Sequence, residues 1–237
     1  MAYEVTWLGQ GGFKLSDGTT TIWIDPYLSD MVERLDGIKR LVQPPFRAGD
    51  VNRTVRPDLY LITHDHIDHL DVDALSVMNK TGIPFAAPTS CVEKLVTLGV
   101  DRADITPFNR GDSLTAGSFT LEAVYAKHTP DSIGVVVTQD GMRAYFTGDS
   151  EFDAQTGAGF TCDVLFTCIN GRWGNMDIPE ALQLAERVQA KLAIPHHYGM
   201  FAENTADPAP FIDGIRAQGR KAYQMTHAEP FTPADLL

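Results

Sequence analysis

The chain is short of thiols, of long apolar runs and of positive charge. Its only cysteines are Cys91, Cys162 and Cys168, an odd number with no CxxC pair, so no disulfide framework is expected and buried free thiols are. No stretch approaches the ~18 uninterrupted apolar residues of a membrane-crossing helix. Lys and Arg number 19 against 31 Asp and Glu, a net charge of −12. That balance repels nucleic-acid backbones and anionic membranes, which leaves a small molecule as the expected partner and a homo-oligomer open. No leader is expected either. Residues 1–8 alternate apolar and polar side chains like a strand instead of following the basic, apolar, small-residue order of a secretion signal, so a cytoplasmic protein is expected. Hydrophobic content of 43% and charged content of 21% are ordinary for a chain that buries a large core. With no repeat, low-complexity tract or linker, residues 1–237 read as one α/β domain.

What is present is concentrated in one stretch. His64-Asp65-His66-Ile67-Asp68-His69 puts five potential ligand side chains into six consecutive positions, directly after an apolar run that reads as a buried strand. His64 and His66 are two apart, so an extended backbone projects both imidazoles to one side, whereas a helix would turn them nearly opposite ways. The motif therefore belongs at a strand end. Asp68 and His69 follow as the chain turns, close enough to hold a second ion, since paired ions in hydrolytic sites lie ~3.5–4 Å apart. A polar surface loop accounts poorly for such density.

Upstream, residues 3–8 and 12–15 read as strands joined by Gly9-Gln10-Gly11-Gly12, and a third strand over 19–24 ends at Asp25-Pro26, where proline stops a ladder. Asp25 is expected either to orient a metal-binding histidine from behind or to serve as a plain turn residue. Residues 27–56 read as a long loop with a short helix. Arg34, Lys39, Arg40, Arg47, Arg53 and Arg56 make that loop locally basic, as a lid over an anionic substrate would be. A strand-helix rhythm then sets in: strand 59–63, helix 72–80, strand 83–87, and a helix ending at Leu98 that a Ser90-x-x-Glu93 capping box would open. Further strands are expected over 118–126, 133–138, 143–146, 164–169, 191–194 and 221–225, with helices after Asp177-x-x-Glu180 and over 208–218. Six of the seven histidines, His64, His66, His69, His128, His196 and His197, fall at the ends of these strands, and so does Asp149 in Thr147-Gly148-Asp149-Ser150. Strand ends are where α/β proteins collect ligands. His227 lies outside the pattern and is expected to be structural.

These residues resemble the signature of the metallo-β-lactamase fold superfamily, His-x-His-x-Asp-His, and the superfamily's later elements stand in order as His128, Asp149 and His197. Within it, Thr-His-Asp-His-Ile-Asp-His-Leu-Asp-Val, Ala-Pro-Thr-Ser-Cys-Val, Leu-Gly-Val-Asp-Arg and Ile-Pro-His-His are similar to L-ascorbate-6-phosphate lactonases and related cytoplasmic metal-dependent hydrolases. The resemblance implies a four-layer αββα sandwich with two divalent metal ions between the sheet edges. His64, His66 and His128 would bind the first ion, Asp68, His69 and His197 the second, and Asp149 would bridge them.

Water held by such ions ionises near a pKa of about 7, and the hydroxide would open a lactone or cleave an ester of a small, sugar-phosphate-like anion. Asp68 and His197 are the expected catalytic residues, Asp68 orienting the nucleophile and moving its proton. The nitrogen and oxygen donors admit zinc, manganese, iron or nickel, and the resemblance favours zinc or manganese. Asn170, Arg172 and Asn175, after the strand 164–169, are the expected substrate contacts together with Arg47, because a guanidinium fork suits carboxylate or phosphate. A phosphodiesterase or nuclease of the same superfamily would need a surface that grips a polyanion. A noncatalytic zinc site would use four ligands, and the similar oxygen-reducing di-iron proteins place Glu where this chain has His66.

Overall fold

A computed structural model of the chain describes residues 2–51 and 55–237. The first half of the chain lays down one sheet. Strands β1 (Glu4–Gly9), β2 (Gly12–Ser16), β3 (Thr21–Ile24), β4 (Leu59–Leu61), β5 (Phe85–Ala87) and β6 (Ile105–Pro107) lie side by side in that order. The second half lays down another, with β7 (Ser113–Ala116), β8 (Phe119–Tyr125), β9 (Ile133–Gln139), β10 (Met142–Phe146), β11 (Val164–Cys168), β12 (Leu192–His196) and β13 (Lys221–Ala222) again in chain order. Only β14 (Pro230–Phe231) returns to the first sheet, pairing antiparallel with β1. Both sheets change from antiparallel hairpins to parallel strands part-way, at β3–β4 and at β10–β11. Each parallel step needs a crossover, and crossovers place helices on the sheet faces.

Strand alternation sorts the side chains between layers. Ile22, Ile24, Leu59, Leu61 and Ala86 point into the space between the sheets, while Trp23, Tyr60, Ile62, Phe85 and Ala87 point outward. The outward set is covered by α2 (Val72–Val77) and α3 (Thr89–Thr97) through Leu75, Cys91 and Leu95. On the second sheet, α4 (Ile178–Arg187) and α5 (Ala209–Ala217) lay down Leu184, Ala185, Phe211 and Ile215. Between the sheets the Phe13 ring meets Phe146 and Phe166 edge-on, with centroids 5.0 and 5.4 Å apart. The layers are helix, sheet, sheet, helix, as expected.

Some boundaries differ from expectation. The helix after the His-rich motif stops at Val77, and the strand after it begins at Phe85. The next helix starts at Thr89, so Ser90 is no N-cap: its backbone N–H and hydroxyl donate to Asp131, at 2.9 and 2.8 Å. The long loop does carry a short helix, α1 (Met31–Asp36). Two of its cations are already engaged. Arg40 is buried, stacks over Tyr27 and donates to the carbonyls of Tyr27, Ser29 and Val42, while Arg34 pairs with Asp73. Arg53 lies outside the described residues. The three thiols are free and buried, and no helix among the described residues is long and apolar enough to cross a membrane.

Candidate metal centre

The His-rich motif leaves the end of β4 in the first sheet, whereas His128, Asp149 and His197 follow β8, β10 and β12 of the second. The centre therefore sits where the edges of two sheets meet. Three groups of ligand atoms come within 4.8 Å of one another there: His64 with His66 and His128, Asp68 with His69 and His197, and Asp25 with His64 and His69.

Hydrogen bonds at the back of each ring fix which nitrogen faces the centre. His128 Nδ1 is 2.9 Å from the Gly174 carbonyl, which can only accept, so Nδ1 carries the proton and Nε2 keeps its lone pair. His69 Nδ1 likewise donates to Asp25 Oδ2 at 2.7 Å. The Thr63 hydroxyl donates to that same Asp25 oxygen and so accepts from His64 Nδ1 at 3.0 Å. His64 Nε2 is left buried without a hydrogen-bond partner among the described residues. A buried lone pair with no donor costs free energy unless something electropositive meets it, and a divalent cation fits.

The two groups share Asp149. Its Oδ1 is 3.0 Å from His197 Nε2 and 3.2 Å from His69 Nε2, while its Oδ2 is 3.6 Å from His128 Nε2 and accepts from Asn175 Nδ2 at 3.0 Å. One carboxylate oxygen thus faces each group. Burial would raise the Asp149 carboxyl, but the His197 and His69 rings hold it well below the usual range. Burial pushes His64 and His128 down, so these two imidazoles are neutral beside the Asp149 carboxylate, the forms that bind metal. His69 runs the other way. Burial opposes its charge, yet Asp149, Asp68 and Asp25 raise its proton affinity well above the ordinary value, which is how a site prepared for positive charge behaves without a cation.

Residues 20–198 match the Beta-lactamase superfamily domain. The chain belongs to the beta-lactamase superfamily. It is 30% identical over 239 residues to a UPF0173 metal-dependent hydrolase of Archaeoglobus fulgidus, covering 91% of this chain and 92% of that protein. A second such relative, from Oenococcus oeni, is 28% identical over 236 residues, 90% of this chain and 93% of its own. The fold is similar to that of a metallo hydrolase from the archaeon Ignicoccus hospitalis, with a TM-score of 0.79 at 24% identity over 98% of both chains. The metal-dependent hydrolases of this superfamily include the present chain.

A cleft of about 480 Å³ opens on the centre, with His66 and Asp68 in its lining. Neither Arg47 nor Arg172 lines it among the described residues. Arg47 borders a separate cleft beside Asp50 and Asp73, and Arg172 is exposed on the loop after β11. Asn175 is buried and holds Asp149, and Asn170 is buried and donates to Asn204 Oδ1 at 2.6 Å. Asn175 thus serves the centre by holding Asp149, and among the described residues neither Asn170 nor Asn175 lines the cleft. His196 is also set apart: its ring lies edge-on to Phe13 in the core, and burial pushes its pKa down to about 3. His227 donates to the Leu8 carbonyl at 3.2 Å, a structural contact as expected.

Gln10 went unrecognised in the sequence. Its Nε2 donates to Asp68 Oδ2 at 2.9 Å and lies 3.1 Å from His197 Nε2, and its carbonyl accepts from the His197 N–H at 3.1 Å. A usable signal was its place in a glycine-rich turn at a strand end, where Gly11 leaves no room for a side chain: a Cβ there would come within 2.6 Å of His69. Gln10, Asp25, Trp173 and His197 all have positive φ without being glycine. Such backbone is costly and persists where the surroundings enforce it, most often around sites.

Proposed function

We propose that this metal-dependent hydrolase opens a lactone or cleaves an ester of a small molecule at a dinuclear centre. His64, His66 and His128 would hold the first ion and Asp68, His69 and His197 the second, with Asp149 as a ligand shared by both groups. The observation that carries this reading is the division of Asp149's two oxygens between the two histidine groups. Seven ligands with a shared carboxylate exceed the needs of a structural site, which takes four. Zinc or manganese suits the donors, and iron or nickel uses the same set.

Two divalent ions there would supply Lewis acidity and an acidified water. The chain's own residues do the positioning. Asp68 accepts the Gln10 amide at Oδ2 and offers its other oxygen to the attacking water's proton, which it passes to the leaving oxygen. His197, locked by its backbone bond to Gln10, fixes the far side of the centre. Among the described residues no arginine lines the cleft to meet the anionic handle expected of the substrate, so the reading rests on the ester or lactone bond and not on a phosphate.

Elemental analysis together with a panel of sugar lactones, phosphorylated and plain, and simple esters tests this. Two equivalents of metal and turnover are expected, with His69→Ala losing one equivalent and at least about 100-fold in kcat/KM, a loss typical of removing transition-state stabilisation. Unchanged turnover in His69→Ala would sink the dinuclear assignment.

A further inference from the structure

Away from the ligands, the wall of the cleft is apolar. Val32, Ile38, Ile67 and Phe201 line it, clustered together from α1, the loop after it, the His-rich turn after β4 and the turn after β12. Trp173 faces the same space. It is the largest hydrophobic side chain left open to solvent, at 60% exposure, and it sits at a φ of 51° that a tryptophan rarely adopts. Exposed indole and left-handed backbone both cost free energy. The turn that imposes them is fastened to the centre: Asn175 N–H donates to the Arg172 carbonyl at 3.1 Å, Gly171 N–H to Met176 at 3.0 Å, and the Gly174 carbonyl takes the His128 ring proton. A Cβ on Gly174 would come within 2.9 Å of that ring, so Trp173 is held at a fixed distance from the candidate metal ligands.

The charges in the cleft point the same way. Among the described residues it contains Asp36, Asp65 and Asp68 and one cation, Lys94, whose ammonium is already paired with Asp65 at 2.5 Å. An added phosphate or carboxylate would meet three acidic side chains and one committed lysine.

From the apolar wall, the fastened Trp173 and the acidic rim, we infer that the cleft selects lactones or esters carrying an uncharged apolar arm, an alkyl chain or an aryl ring, which lies between Trp173 and the Val32–Ile38–Ile67–Phe201 wall while the carbonyl reaches the metal centre. This substrate class rests on the hydrolase reading above. The volume of about 480 Å³ falls within the ordinary range of small-molecule sites, about 300–1,000 Å³.

The test uses the metal-loaded full chain and γ-lactones with side chains of increasing length. kcat/KM should rise about three- to fourfold per methylene until the wall is covered, the gain set by burying each CH2. Trp173→Ala should flatten that slope, while Val77→Ala, an exposed residue outside this cleft, should keep it. A flat series, or a phosphorylated sugar lactone turned over faster than the alkyl lactones, would overturn the inference. Binding of 2-alkylcyclopentanones, which cannot be hydrolysed, is measured alongside by titration calorimetry. Affinity that grows with chain length in the parent and not in Trp173→Ala supports the apolar subsite even if no lactone is opened, in which case only the hydrolase reading fails. Affinity independent of chain length overturns the subsite whatever the turnover.

Discussion

Asp25 is absent from the lining of the cleft, yet it holds the motif at both ends. Its Oδ1 accepts the Thr63 N–H at 2.7 Å at the start of the turn, and its Oδ2 accepts the His69 ring at the end of it. Its own backbone is left-handed, at φ 45°. A carboxylate behind a ligand histidine raises the ligand's basicity and fixes its orientation, and losing such a partner typically costs 10–100-fold in metal affinity, roughly. Asp25→Asn should therefore weaken metal retention by about that factor without unfolding the chain. Competition against a chelator, with circular dichroism as the folding control, reads this out, and parental affinity would show Asp25 to be a turn residue only. Its supporting role was legible in the sequence, because Asp-Pro at a strand end leaves a carboxylate at the sheet edge. The role of Gln10 was not, because a glutamine in a glycine-rich turn gains meaning only from His197, 187 residues away.

Two segments with one sequence pattern show what is legible at the level of elements. Asp177-x-x-Glu180 forms a full capping box, with Asp177 Oδ1 accepting the Glu180 N–H at 2.9 Å and the Glu180 side chain accepting the Asp177 N–H at 3.1 Å. Ser90-x-x-Glu93 carries the same signature and forms none, because Asp131, remote in sequence, takes the serine. Local pattern decides where no distant partner competes. The same holds for strands: alternation located β1 and β8, and the 221–225 strand was expected but pairs only over Lys221–Ala222, whereas two-residue β14 went unexpected because it exists by pairing with β1 at the other end of the chain. Asp177→Ala should cost about 1 kcal/mol of stability, the usual value of an N-cap, with metal content unchanged. Urea unfolding checks the first part and elemental analysis the second. A loss of metal would mean that the α4 start also props the Trp173 turn.

Across the whole molecule, burial shapes the response to alkali. It pushes Cys91, Cys162 and Cys168 up to about 12 each, and raises Tyr3 and Tyr145 further still. Groups whose folded pKa exceeds the unfolded value stabilise the fold fully below the unfolded pKa, about 8.5 for a thiol, and lose that contribution as pH rises towards the folded one. Each thiol then removes about 1.4 kcal/mol per pH unit, so the three together remove about 4. Stability should fall steeply above pH ~9, and Cys91→Ala should make the fall about one-third shallower. Urea midpoints at successive pH values measure it, and a flat profile would mean the thiols ionise freely in the fold. The strand order of both sheets lay beyond sequence reading, since it is set by which faces bury one another. That order has a consequence in time. The motif at 64–69 is made early in synthesis, but Asp149 and His197 follow β10 and β12 of the second sheet. On the proposed ligand set, a chain still on the ribosome can gather the first ion's histidines once His128 has emerged, and cannot close the second site until His197 has. On that set, the ligand made last is His197, so the second site is the last to have its residues complete.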